Sequence, residues 1–144
     1  AIFLAGDALK SQRGRRVVVL ITDGGDTSSS ASYQDAVRSA LEAEAIVYSI
    51  IVTPIEADAG RNLGGEHALI QVSRDTGGQY FYAKNVQQVA QAFDRIAEEL
   101  RTEYRLGYYP SRKLSDSDAR HIEVRLTGVP GTLTAHYRTL YFTH

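Results

Sequence analysis

Apolar residues recur along this chain with two different periods, and the switches between them mark out its elements. Between residues 2 and 12, Ile2, Ala5, Ala8 and Leu9 share one helical face, Phe3 and Leu4 widen the stripe, and Gly14 stands where a helix would stop. The run 17–21 (VVVLI) is continuous and mostly β-branched, which predicts a strand buried on both faces of a parallel sheet. It ends at Thr22-Asp23-Gly24-Gly25-Asp26. The Ser-rich stretch 27–32 offers N-caps for a helix over 33–44, where Ala36, Val37, Ala40 and Leu41 fall at helical spacing. A second buried strand is predicted at 46–52 (IVYSIIV), and residues 53–65, with Pro54, Gly60, Gly64 and Gly65, read as a loop. Leu69, Ile70 and Val72 predict a short helix over 67–75, stopped by Gly77-Gly78 ahead of an aromatic-rich third strand at 79–83. Asn85 is placed to cap a long helix over 86–104, whose Val89, Phe93, Ile96, Ala97 and Leu100 make an apolar stripe.

That order, helix and strand in strict alternation, is the pattern of crossover units around a parallel sheet. The expected class is α/β, a three-layer Rossmann-like parallel sheet with flanking helices. The last third changes character. Residues 105–109 read as a strand stopped by Pro110, and 111–118 as a polar loop. Residues 121–126 alternate, with Ile122, Val124 and Leu126 on one side; 128–131 is a turn, and 132–142 alternates again. An α/β body over 1–110 and an antiparallel hairpin extension over 111–144, packed on or continuing the sheet, are therefore expected.

Composition narrows what this fold could serve. With 144 residues and 43% hydrophobic content the chain suits one globular domain, and with no Cys it has no disulfide, thiolate zinc site or cysteine nucleophile. Sixteen basic and 17 acidic residues are interspersed to a net charge of -1, so no nucleic-acid footprint is present; the densest basic patch, RGRR at 13–16, fits a solvated helix-to-strand turn. No apolar run approaches the roughly 20 residues that span a bilayer, so no membrane span is expected. There is no Met, and the opening AIFLAGDAL already reads as helix, which predicts a chain processed or excised from something longer.

Candidate chemistry concentrates at Asp23. In open α/β sheets ligands bind beyond the carboxyl ends of the strands, and a carboxylate there followed by two glycines suits a hard cation. Asp-Gly is equally ordinary turn chemistry. Other residues weigh less. His67, His121, His136 and His144 have no metal-motif spacing, and GxSxG, P-loop and GxGxxG are absent. Glu98 and Glu99 are adjacent on a helix and diverge, unlike a paired-carboxylate site. Tyr104, Tyr108, Tyr109, Tyr137 and Tyr141 read as a packed β layer with hydroxyls at its rim, or as a binding surface.

Four segments in order, RRVVVLITDGGDTSS, ALEAEAIVYSIIV, LIQVSRDTGGQYFYA and AEELRTEYRLGYYPS, resemble the von Willebrand factor A (vWA) domain of bacterial, acidobacterial-type VWFA-related proteins. The resemblance covers about the first 110 residues and continues loosely into the β extension. It implies a vWA sheet with a metal-ion-dependent adhesion site (MIDAS) at its upper edge, where Mg²⁺ or a similar divalent cation bridges to an acidic residue of a protein or cell-surface ligand. Of that site's three segments only the TDG aspartate is matched, by Asp23, with Asp26 and Thr27 as possible further ligands and Gly24 and Gly25 shaping the ligand-facing turn. No DxSxS occurs, and SDSD at 115–118 follows no buried strand. By this match the chain begins inside the helix before the family's fourth strand. The expected function is a non-enzymatic adhesion-type module, metal-dependent only in the intact protein and binding Mg²⁺ weakly or not at all as this chain. The run 17–21 would then be an exposed edge through which two chains associate, edge to edge or by exchanging elements. Two rival readings stand: Mg²⁺-dependent phosphoryl transfer on Asp23 and Asp26, with Glu56 as the available second acid, or a structural scaffold without a ligand. The final strand departs from the family's Arg-x-Gly-Tyr pattern, reading His136-Tyr137-Arg138-Thr139-Leu140-Tyr141. Export to the periplasm, cell surface or medium is what the resemblance favours.

Overall fold

A computed structural model describes residues 1–24, 32–53, 63–111, 119–128 and 133–142. The β-branched runs form β1 (Arg16–Thr22) and β2 (Ala45–Val52), joined by the shorter β3 (Tyr80–Ala83), and the three pair in parallel in the order β1-β2-β3. In this register Val17 lies opposite Ile46, Val19 opposite Tyr48, and Ser49 opposite Tyr80. α1 (Ile2–Leu9) precedes the sheet, α2 (Tyr33–Glu42) and α3 (Leu63–Thr76) connect its strands, and α4 (Val86–Arg101) follows it.

Side-chain alternation along β2 divides the core in two. On one face Val47 packs with Val37, Ala40 and Leu41 of α2 and Val72 of α3, bordered by Ile2, Val18 and Leu140. On the other, Tyr48 and Ile50 pack with Ala83 and with Ala92 and Ile96 of α4, bordered by Val17, Val19 and Phe81. The result is three layers, α1–α3 against one face and α4 against the other, as the α/β pattern predicted.

Polar groups taken into this interior are paired, as burial requires. Ser73 Oγ donates to Ser49 Oγ (2.9 Å), and Thr76 Oγ1 accepts from the Val47 amide (3.0 Å) while donating to Val72 O (2.9 Å). The turn from α3 into β3 runs so close under β2 that a Cβ on Gly78 would lie 2.1 Å from Val47 O. Only glycine fits there. Two helix starts are closed as their caps predict: Ser32 and Asp35 form a reciprocal capping box on α2, and Asn85 Oδ1 accepts from the Gln88 amide (2.9 Å) on α4.

Several expectations need correction. β1 is half-buried rather than buried on both faces, with Ile21 49% exposed, because it is an edge strand and α4 lies over β2 and β3. α3 begins at Leu63, four residues early, taking Gly64 and Gly65 into its first turn. Residues 105–109 form no strand: Tyr104, Leu106, Tyr108 and Tyr109 are all exposed, and among the described residues nothing pairs their backbone as a ladder. The C-terminal strands shrink to β4 (Ala119–His121) and β5 (Leu140–Phe142), an antiparallel pair with His121 opposite Leu140. The cause is visible at Thr139. Its carbonyl accepts from the Ile122 amide (2.9 Å), but its amide donates to Asp75 O at the end of α3 (3.3 Å), so the ladder gives way to a tie onto the helical layer.

That tie has further strands. Thr139 Oγ1 donates to Asp75 Oδ1 (3.3 Å), Leu140 packs against the α2–α3 cluster, and His136 Nδ1 lies 3.0 Å from Glu99 Oε1 on α4. Glu99 Oε2 also accepts from Gln79 Nε2 (2.6 Å). Among the described residues no helix is long and apolar enough to cross a membrane.

Candidate functional site

The carboxyl edge of the sheet is where the strands hand over to loops, and the predicted site residue Asp23 stands there, exposed, immediately after β1. The chain turns at once: Gly24 adopts φ +86°, in the left-handed region, and its amide donates to Thr22 Oγ1 (3.2 Å). The neighbouring strand ends add Thr53, whose amide donates to Ala83 O (3.0 Å) and so extends the β2–β3 ladder by one bond, and then Lys84 and Asn85. The Asn85 side chain is occupied in capping α4, and the Lys84 amide donates to Gln88 Oε1 (2.7 Å), which braces this corner.

A residue pair that sequence reasoning did not single out borders the same edge. Glu66, in the first turn of α3, is buried at 7% exposure, and the Tyr82 hydroxyl, on a side chain 44% exposed, donates to its Oε1. A carboxylate taken so far out of water requires such a donor. The available hint was an acidic residue at the start of a helix following a glycine-rich stretch, which by itself reads as favourable interaction with the helix dipole.

The remaining predicted positions are dispersed or undescribed. Gly25, Asp26, Thr27 and Glu56 lie outside the described residues, as does His144. His67 is exposed on α3, His121 is exposed in β4, and His136 is bound to Glu99. Glu98 is exposed while its neighbour Glu99 holds Gln79 and His136, so the two carboxylates do different things. Tyr108 and Tyr141 meet edge to face, with ring centroids 6.4 Å apart and hydroxyls at 2.7 Å; that hydrogen bond raises the Tyr108 phenol above its ordinary value. Tyr104 and Tyr109 stay in solvent instead of joining a packed β layer.

Whether these residues would hold a hard divalent cation can be judged from the donor set. Such an ion takes about six oxygens. Among the described residues no group of three or more His, Asp or Glu side chains is placed to share a metal ion, and Asp23 is the one predicted ligand within them. The described edge therefore does not by itself fit the ion. What it does offer is Asp23, Thr53 and Lys84, each the residue that follows the last position of one of the three parallel strands.

No family model and no curated protein matches this chain. Among solved structures it is similar to an uncharacterized membrane spanning protein from Vibrio fischeri, at 23% identity and a TM-score of 0.51, over 64% of this chain and 50% of that one. The matched region thus spans half the length of that neighbour, and the likeness is one of fold.

Proposed function

We propose that this chain is a vWA-type interaction module, non-enzymatic, that engages a protein or surface ligand at the carboxyl edge of its sheet through Asp23. The observation that carries the reading is the placement of Asp23: an exposed carboxylate one residue past the apolar strand β1, at a turn opened by Gly24, on the edge where parallel α/β sheets bind ligands. The parallel order of β1, β2 and β3 and the ELRTEYRLGYYP segment leaving α4 support the vWA assignment through the resemblance they carry. Metal bridging belongs to this reading only where further oxygen ligands join Asp23.

Titration of the chain with Mg²⁺, followed by backbone amide shifts, tests it. Weak binding, with a dissociation constant on the order of 10⁻³ M as in the loosest extracellular cation sites, is expected to move the Asp23 and Gly24 signals and to vanish in Asp23→Ala. Shifts unchanged by that substitution would remove Asp23 from the site. A micromolar constant would show a complete site in this chain, and phosphatase turnover lost in Asp23→Ala would replace the adhesion reading with phosphoryl transfer.

A further inference from the structure

The chain has no Cys, Met or Trp, and nine Tyr. Cys and Met are where oxidants ordinarily act first in a protein, so in this one a one-electron oxidant falls on phenols. Among the described residues, Tyr108 and Tyr141 are the tyrosines whose hydroxyls bond to each other. Tyr108 Oη donates to Tyr141 Oη at 2.7 Å, with ring centroids 6.4 Å apart and ring planes at 85°. Tyr108 is 60% exposed and open to a diffusing oxidant, while Tyr141 is half-buried in β5, opposite Arg120 of β4.

We propose that Tyr108 and Tyr141 are an oxidative crosslinking site, joined ortho carbon to ortho carbon as dityrosine by hydrogen peroxide acting through a peroxidase-type one-electron oxidant. Each phenol gives up one electron and its hydroxyl proton, which leaves a phenoxyl radical with spin on the carbons flanking the C–O bond. The two radicals join through one C–C bond. The hydrogen on each joining carbon then passes to that ring's oxygen, restoring both phenols. In sum two C–H bonds are lost and one C–C bond is made, and the two electrons and two protons released reduce one peroxide to two waters.

Geometry favours this pair over the other tyrosines. The joined rings carry their hydroxyls on either side of the new bond, where the two oxygens share a proton, and that oxygen-to-oxygen contact already exists here. Tyr141 is held in place by its neighbours, Leu140 in the α2–α3 cluster and Thr139 on Asp75, whereas Tyr108 belongs to no helix or strand, so drawing its ring inward breaks no ladder. Tyr80 and Tyr82 have closer rings, at 5.8 Å, but Tyr82 gives its hydroxyl to Glu66, Arg74 lies over the Tyr80 ring, and one strand fixes the spacing of the two. The new bond would close a loop between positions 33 apart, a covalent staple from the segment after α4 to β5 in a chain that has no Cys for a disulfide. This proposal goes beyond the ligand-binding reading and does not depend on it.

Oxidation of the dilute chain with a haem peroxidase and hydrogen peroxide, followed by intact mass, dityrosine fluorescence and peptide mapping, tests the proposal. The wild type is expected to stay monomeric, to lose the mass of two hydrogens, and to yield one crosslinked peptide pair joining Tyr108 to Tyr141. Tyr108→Phe and Tyr141→Phe each keep the ring and remove only the hydroxyl, and each is expected to abolish that product, whereas Tyr82→Phe and Tyr109→Phe leave its yield unchanged. Circular dichroism of all four variants confirms their fold. An absence of dityrosine, covalent dimers as the main product, a crosslink mapped to another tyrosine, or an intramolecular product that survives Tyr108→Phe overturns the proposal.

Discussion

Tyr48 shows how one side chain's surroundings set its chemistry. Its ring is 1% exposed in the α4-side cluster, and burial first, then the negative charges of Glu99 and Glu103, push its phenol well above the ordinary value near 10. The folded state therefore holds this proton more tightly than the unfolded chain does. Below pH ~10 both states are protonated and the group is silent; above it the unfolded chain ionises while the buried phenol resists, so stability falls as pH rises. Tyr48→Phe is expected to flatten the alkaline limb of a plot of urea midpoint against pH and to leave its shape below pH 9 unchanged. In the sequence Tyr48 is legible as a strand residue of IVYSIIV. Its electrostatic setting is not, because Glu99 and Glu103 lie on or just after a helix more than fifty positions away.

At the scale of elements, what was legible was what depends on neighbours in sequence. The apolar runs of β1 and β2 emerge where the pattern put them, and so does the Asn85 cap; α4 ends at Arg101, three residues short, and turns Val89, Ile96 and Leu100 to the core as expected, but buries Ala92 and leaves Phe93 exposed. That cap closes the helix forming one whole layer, so Asn85→Ala is expected to cost about 1 kcal/mol, read as a lowered urea midpoint with an unchanged m-value. The failures share a cause. Residues 105–109 read as a strand stopped by Pro110, yet a strand is made by its partner, and none meets them within the described residues. Alternation over 132–142 likewise could not show that Thr139 spends its amide on Asp75. At the candidate site Asp23 was legible from its place after an apolar run. Glu66 and its Tyr82 donor were not, since their meeting depends on α3 beginning four residues earlier than the pattern suggests.

At the scale of the molecule, among the described residues, three strands with two intervening helices make a parallel sheet whose members pair with their sequence neighbours. This arrangement governs the order of events when the chain folds. The contacts within β1-α2-β2-α3-β3 are local and close inexpensive loops, whereas the bond between Asp75 and Thr139 spans 64 residues. The C-terminal tie is thus expected to form after the rate-limiting step and to act as a brake on opening. Leu140→Ala should speed unfolding several-fold while leaving the refolding limb of a chevron plot nearly unmoved, and a slowed refolding limb would place the tie in the nucleus instead. A segment that contributes little to how fast the protein forms would then set how long it lasts.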